Sequence, residues 1–350
     1  MIRHTHCDHR LSIIRSAPET FCPASRKVDS SPSFENLNMQ KKPSPSSPTI
    51  GTGTAQPRPF KVIGHAGMRT TGDGSLIIKP AFPAERQFYE TLVQDPYLAP
   101  LRPFIPRFFG TLQPETQGKG GGPRGGIPIP PGRTQSLILE NLCNTFVKPN
   151  TLDVKLGTLF YDEFTAPDKV LRNERTACET TSRATGVRLT EFQVYDNTTS
   201  QPVCTPKSYG KAMKASDLPA GIAQFFPVSR GSSKLGLPRK TLVPILRGIR
   251  DIVSRIHEVY MSFEMRIIGG SLLIMYEADW SRAEDGVKRS GLRQPAREDD
   301  HDVNNRQPFV VKLVDFAHTR LTPGEGPDEG VLLGLDTMVK LLDGRIAQLA

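Results

Sequence analysis

Residues 149–157 read PNTLDVKLG, a stretch in which apolar and charged side chains alternate. In a β-strand successive side chains point to opposite faces, so the two leucines and the valine share one face. Asp153 and Lys155 share the other face. This pattern predicts a core strand that presents a carboxylate and an ammonium group side by side, which makes Asp153 and Lys155 candidate catalytic residues.

Candidate strands and helices lie on both sides of this stretch. The predicted strands cover 60–65, 75–80, 136–142, 187–195, 270–276 and 310–316, the first two forming a hairpin. The predicted helices cover 83–93, 167–180, 242–260 and about 330–349. The helix over 242–260 is the clearest, because its isoleucines and valine recur at helical spacing along one side.

The composition indicates that part of the chain is not folded. Gly and Pro number 30 and 31 among 350 residues, and only 37% of residues are hydrophobic. Both values are typical of a globular core with added low-complexity segments. We expect a disordered Ser/Pro-rich tail at 1–57, a disordered Gly-rich loop at 114–133 and a disordered, charged insertion at 281–308.

The formal net charge of +9 suggests a polyanionic partner. Nucleic acid, an acidic membrane and a phosphorylated small molecule all carry the required charge. We expect no direct nucleic-acid binding, because no recognition motif is present and the basic excess is spread thinly. We also expect no membrane insertion, since no apolar stretch approaches the length of about 20 residues that a spanning helix needs.

Phosphoryl transfer from ATP requires a particular set of groups. A lysine contacts the phosphates and is held by a glutamate, a carboxylate binds Mg²⁺, another group positions the attacking hydroxyl, and a hinge strand holds adenine. The chain supplies one of each in the order Lys79, Glu85, Glu140 with Leu142, Asp153 and Asp315.

This order is similar to that of a protein kinase, but the protein-kinase motifs are not found where a protein kinase has them. The sequence contains no His-Arg-Asp and no Asp-Phe-Gly, and no Gly-x-Gly-x-x-Gly lies between the first two predicted strands. The acceptor is therefore expected to be something other than a protein.

The spacing Pro149-x-x-x-Asp153-x-Lys155-x-Gly157 resembles the PxxxDxKxG signature of the inositol polyphosphate kinase family. The segments SLL at 271–273 and DFAHT at 315–319 resemble two further family segments. The similarity extends over about residues 58–349, and its motifs are most like those of the fungal multikinases within the family.

The resemblance implies an α+β, two-lobed protein-kinase-like fold behind the disordered N-terminal tail. The N-lobe would be 58–141, with the loop at 114–133, and would bind ATP. The C-lobe would be 142–350, with the insertion at 281–308, and would hold the catalytic and inositol phosphate-binding residues.

The resemblance also implies a role for each site residue. Asp153 would lie at the accepting hydroxyl and Lys155 beside the transferred phosphate. The ATP-binding residues would be Lys79, Glu85, Glu140, Leu142 and Asp315, and Asp315 would also bind Mg²⁺. The inositol phosphate would contact His318 and a basic helix carrying Lys169, Arg172 and Arg175, whose spacing places them roughly along one side.

The implied function is Mg-ATP-dependent phosphorylation of soluble inositol polyphosphates, starting with the 6- and 3-hydroxyls of inositol 1,4,5-trisphosphate. Two alternatives remain within the family: an inositol hexakisphosphate kinase and a trisphosphate 3-kinase. Two departures bear on this choice: residues 180–186 are less rich in Gly and Ser than in many relatives, and Glu191-Phe192 stands where Gly-Met is common in the family.

An alternative of another class is a transcriptional scaffold or cofactor with secondary or no catalysis. Transcription factors are accordingly candidate protein partners. By the same resemblance we expect a monomer located in the nucleus and the cytoplasm.

Overall fold

The computed structural model of the chain describes residues 67–113, 135–229, 235–291 and 307–350. The predicted tail at 1–57, the predicted loop at 114–133 and the predicted strand at 60–65 lie outside the described residues. The described part of the fold is built from two larger antiparallel sheets, a two-stranded sheet and the helices packed against them, which is the predicted α+β class.

The first sheet comes from the N-terminal part of the described chain. Its strands are β1 (Arg69–Thr70), β2 (Leu76–Ala81), β3 (Phe108–Leu112) and β4 (Gln135–Glu140). They lie in the order β1-β2-β4-β3. Helix α1 (Pro83–Gln94) follows β2, and it begins with Pro83, whose fixed backbone angle suits the first turn of a helix.

The second sheet is centred on the strand that carries the PNTLDVKLG sequence. Its strands are β5 (Pro149–Leu156), β6 (Val187–Asp196), β7 (Gln201–Thr205), β9 (Ser271–Glu277) and β10 (Phe309–Val314). The order is β10-β9-β5-β6-β7, so β5 has a partner on each side. A two-stranded sheet pairs β8 (Met265–Ile267) with β11 (Thr319–Leu321).

The remaining helices pack around the second sheet or connect its strands. They are α2 (Pro167–Glu179), α3 (Ser182–Thr185), α4 (Lys207–Ala212), α5 (Leu218–Phe225), α6 (Arg239–Tyr260), α7 (Trp280–Gly291) and α8 (Glu329–Leu349). Buried side chains of α6 and α8 pack in the same apolar core as those of β5 and α1. Within the described ranges no helix is long and apolar enough to cross a membrane.

The predicted disordered insertion at 281–308 is wrong for its first part, because residues 281–291 belong to helix α7. Because this segment is rich in charged residues, its helical periodicity is hard to recognise in the sequence. Ala283 is fully buried against the core, and Trp280 Nε1 donates a hydrogen bond to the carbonyl of Gly236 at 2.9 Å. Residues 292–306 lie outside the described part of the chain.

Helix α4 approaches strand β6 unusually closely, and Gly210 makes this approach possible. A Cβ atom on Gly210 would lie 1.6 Å from the carbonyl oxygen of Leu189. Glycine is the residue that permits such backbone proximity. The contact fixes the position of the two lysines of α4, Lys207 and Lys211.

We predict that Gly210→Ala lowers the free energy of unfolding by about 2–3 kcal/mol, because helix α4 must move away from β6. Gly344→Ala is the matched control. Gly344 also lies in a helix, but its added Cβ would meet no atom within 4 Å. The control should gain about 0.5–1 kcal/mol, and urea denaturation measures both variants. Equal stabilities of the two variants would contradict the close approach.

Candidate active site

A buried network of charged side chains joins the two sheets. Lys79 Nζ of β2 lies 2.6 Å from Glu85 Oε1 of α1 and 3.0 Å from Asp315 Oδ1, just beyond β10. Glu85 is 2% exposed and Lys79 8%, so each charge depends on its partners rather than on water. The structure thus brings together three of the predicted ATP-binding residues.

The second oxygen of Asp315 reaches the strand that carries the signature. Lys155 Nζ lies 3.0 Å from Asp315 Oδ2 and donates to the carbonyl of Gly269 at 2.9 Å. Asp315 therefore bridges two lysines, one from each sheet.

The position of Asp315 is set by the backbone and by its neighbour in the chain. Asp315 has a φ of 68°, a left-handed conformation that aspartate adopts more readily than most residues. Phe316 is fully buried and stacks on Phe88 of α1, with ring centroids 4.4 Å apart, and meets Tyr89 edge-on. These aromatic contacts hold the turn against α1 and so orient the Asp315 carboxylate toward Lys79.

The pKa values of two site residues are displaced. Burial by itself lowers the pKa of Lys79, but the charges of Glu85 and Asp315 outweigh it, and the pKa lies above its ordinary value. Burial raises the pKa of Asp153, and the negative charge of Asp315 adds to this rise while Lys155 opposes it. Lys79 therefore stays charged, and Asp153 is a stronger base than an exposed aspartate.

A cleft of roughly 810 Å³, its open mouth included, lies beside this network. Apolar side chains from both sheets line most of it, among them Ile77, Leu139, Leu273 and Met275. Its polar lining includes the predicted residues Lys79, Glu140, Asp153 and Asp315, and Leu142 lies at the same wall. A largely apolar cleft with a few polar groups at one end suits a nucleotide base followed by phosphates.

The segment that leaves β4 is fixed by Asn141. Asn141 Nδ2 donates to the carbonyl of Gly74 at 2.7 Å, and Asn141 Oδ1 accepts a hydrogen bond from Cys143 N at 3.1 Å. The second bond caps the short 3₁₀ turn Leu142–Thr145. Strand β4 consequently ends at Glu140, two residues earlier than the sequence predicted.

Lys312 connects the two sheets behind the cleft. It is 5% exposed, and its ammonium group donates to the carbonyl of Pro103 at 2.7 Å and lies 3.8 Å from Glu140 Oε1. Burial lowers the pKa of Lys312, and the charge of Glu140 opposes this effect. A residue of β10 thus holds the segment that leads into the cleft wall.

A second cavity, of roughly 540 Å³, shares Asp153 with the cleft. Four cationic side chains line it: Lys155, Arg188, Lys207 and Lys211. The remaining lining residues are Thr190 and Glu191 of β6. We call this cavity the basic pocket.

Three of the four cations of the basic pocket were not predicted from the sequence. Arg188 lies opposite Lys155 in the sheet, its guanidinium stacks over Phe160 at 5.4 Å, and its Nη1 is buried with no hydrogen-bond partner among the described residues. Lys207 and Lys211 are four residues apart, a spacing that puts them on one side of α4. This spacing is the feature of the sequence from which a basic surface on α4 could have been predicted.

The predicted substrate-binding residues lie elsewhere. Lys169, Arg172 and Arg175 are exposed on α2, and none of them lines either of the cavities described above. The side chain of His318 is 43% exposed, and its Nδ1 lies 3.0 Å from Asp162 Oδ2. Their roles in binding an inositol phosphate stay predictions.

Few described residues are placed to bind Mg²⁺. Within the described residues, no group of three or more His, Cys, Asp and Glu side chains is placed to hold a metal ion. Mg²⁺ bound beside ATP commonly takes only one or two protein carboxylates, with phosphate oxygens and water as its other ligands. Asp315, whose carboxylate faces the cleft, fits this requirement.

Comparison with known proteins bears on the identity of the chain. The family model described as "Inositol polyphosphate kinase" matches residues 136–343. The inositol polyphosphate multikinase of Saccharomyces cerevisiae is 28% identical, the alignment covering 80% of this chain and 96% of that protein. The inositol hexakisphosphate kinase 3 of Mus musculus is 27% identical over 60% of this chain, which spans about half the length of that relative.

Among solved structures that are similar to the chain, one covers more than three quarters of it. It is the inositol phosphate multikinase of S. cerevisiae in complex with ADP and Mn²⁺, with a TM-score of 0.60 and 27% identity. The match covers 77% of this chain and 98% of that one. The predicted fold, that of the inositol polyphosphate kinases, is confirmed.

We predict that Asp153→Asn raises stability at neutral pH. Because the native state binds the Asp153 proton more tightly than the unfolded chain does, ionisation of this carboxyl costs stability once the pH exceeds the ordinary aspartate pKa. Asparagine removes this cost, so the variant should be more stable by about 1 kcal/mol at pH 7. The difference should disappear as the pH falls toward about 4.

Urea denaturation at several pH values measures this difference. Asp285→Asn, which changes an exposed aspartate of α7, is the control and should stay within about 0.5 kcal/mol of wild type. A variant at position 153 that is less stable than wild type at every pH would contradict the raised pKa.

Proposed function

Because the chain belongs to the inositol polyphosphate kinase family, we propose that it is a multikinase that transfers the γ-phosphate of Mg-ATP to soluble inositol polyphosphates. The first acceptor would be inositol 1,4,5-trisphosphate, phosphorylated at its 6- and 3-hydroxyls. The observation that carries this proposal is the position of Asp153, which lines both the apolar cleft and the basic pocket.

Each of the two cavities suits a substrate of different chemistry. The apolar cleft suits adenine, with Glu140 and Leu142 at its wall and Lys79 at the phosphate end. The basic pocket suits a compact polyanion, because lysine and arginine together neutralise several phosphate groups. A donor and an acceptor bound in this way would meet at Asp153.

The residues at this junction have separable tasks. Asp153 accepts a hydrogen bond from the attacking hydroxyl and can take its proton, which its raised pKa favours. Lys155 and Lys79, both within 3.0 Å of Asp315 oxygens, stabilise the negative charge that develops on the transferred phosphoryl group. Asp315 would hold Mg²⁺, which when bound neutralises charge on the phosphate oxygens.

Purified protein supplied with Mg-ATP and, separately, with inositol tris-, tetrakis-, pentakis- and hexakisphosphate tests the proposal, with products separated by anion-exchange chromatography. We expect the trisphosphate to pass through a tetrakisphosphate to a pentakisphosphate. Arrest at one tetrakisphosphate would instead identify a 3-kinase. Pyrophosphate products from the hexakisphosphate would identify a hexakisphosphate kinase, the activity named for the mouse relative.

Binding of ATP without turnover of any acceptor would contradict the kinase and favour the scaffold alternative. The partner of such a scaffold would then be sought among transcription factors. Retention of Lys79, Asp153, Lys155 and Asp315 in a connected geometry supports the enzyme.

We predict that Asp153→Asn and Asp315→Asn each reduce kcat at least about 100-fold, because one removes the group at the hydroxyl and the other the metal carboxylate. Circular dichroism should show that both variants remain folded. Asp285→Asn, on the exposed side of α7, should keep wild-type turnover. Activity close to wild type in either site variant would refute the role assigned to that residue.

A further inference from the structure

An irregularity in strand β6 faces the catalytic aspartate. Leu152 of β5 pairs with Phe192, whereas Val154 pairs with Leu189. Thr190 and Glu191 together therefore oppose Asp153, which is the arrangement of a β-bulge. Thr190 Oγ1 donates to the carbonyl oxygen of Asp153 at 3.0 Å across the bulge.

The bulge changes the direction in which Glu191 points. In a regular strand two consecutive side chains lie on opposite faces of the sheet. Here Thr190 and Glu191 both line the basic pocket, together with Arg188. Because of the bulge, the pocket contains a second carboxylate besides that of Asp153. Its other charged side chains are cationic.

Glu191 is already paired with one of the pocket cations. Its Oε1 lies 3.3 Å from Lys207 Nζ, and the Glu191 side chain is 27% exposed, so it is held against the wall. Lys207 therefore offers an incoming phosphate less charge than Arg188 does, whose Nη1 is buried with no hydrogen-bond partner among the described residues. The pair of Glu191 and Lys207 is close to neutral, whereas Arg188 and Lys211 keep other parts of the pocket positive.

We propose that Glu191 is a specificity-determining residue that reserves one subsite of the basic pocket for a ring hydroxyl and disfavours a phosphate there. The inference rests on the proposed function, since it concerns the acceptor of that reaction. A hydroxyl donates a hydrogen bond to the carboxylate, whereas a phosphate group meets a like charge and must displace Lys207.

The consequence is selection by phosphate number. An inositol ring with free hydroxyls can turn one of them toward Glu191 and its phosphates toward the cations. A fully phosphorylated ring has no hydroxyl to offer and places a phosphate beside Glu191 in every orientation. The pocket therefore prefers acceptors with free hydroxyls over the hexakisphosphate, for a reason independent of the reacting position.

Isothermal titration calorimetry with wild-type protein and Glu191→Gln tests the proposal at one fixed ionic strength. The probes are inositol 1,4,5-trisphosphate and inositol hexakisphosphate. We expect the substitution to tighten binding of the hexakisphosphate roughly threefold to tenfold more than binding of the trisphosphate. The same change should appear in the ratio of the two kcat/KM values if the hexakisphosphate is turned over.

Glu284→Gln is the matched control, because Glu284 is also paired with lysines, Lys240 and Lys288, but lies on α7 and lines neither cavity. It removes the same charge from the whole protein and should leave the ratio of affinities within about twofold. The proposal would be overturned if Glu191→Gln and the control gave the same ratio of hexakisphosphate affinity to trisphosphate affinity.

The binding readout separates this inference from the proposed kinase. A shifted ratio in a protein that turns over no acceptor would support Glu191 as the selective residue while refuting the multikinase. Turnover of the trisphosphate with an unchanged ratio would support the multikinase and refute the role of Glu191. Circular dichroism confirms in each case that the variant is folded.

Discussion

The carboxylate of Asp315 is the centre on which the rest of the site depends. It lies 3.0 Å from a lysine of the first sheet and 3.0 Å from a lysine of the second. Lys79 is largely buried, and Asp315 offsets the repulsion between its ammonium group and that of Lys155. The geometry of both sheets is thereby coupled to one side chain, whose own backbone is held in a left-handed turn by the buried ring of Phe316.

The regular elements of this site could be predicted from the sequence. Alternation in β5 placed Asp153 and Lys155 on one face, and the chain order of Lys79, Glu85 and Asp315 indicated phosphoryl transfer. The family resemblance carried by the same residues is confirmed. The shared face of Asp153 and Lys155 could be predicted because a strand of fixed period determines which side chains lie together. The grouping of Lys79, Glu85 and Asp315 was inferred from the set of groups that phosphoryl transfer requires.

The irregular elements could not be predicted in this way. The bulge in β6 departs from a two-residue period, so alternation puts Glu191 on the wrong face. Helix α4 reaches the basic pocket through a backbone contact at Gly210 that no pattern of side chains reveals. Asp153 and Lys155 therefore lie on a regular strand, whereas several of the residues that surround the acceptor lie where the regular pattern is broken.

Lys312 limits how far the cleft can widen. Parting the two sheets would remove a buried ammonium group from the carbonyl of Pro103 and from Glu140 at once. Breaking these contacts would cost free energy even where water then reaches the separated groups, because a hydrogen bond to a charged group contributes about 1.5–3 kcal/mol net. Lys312 therefore favours one separation of the two cleft walls, so the space offered to a nucleotide base is set largely before the base arrives.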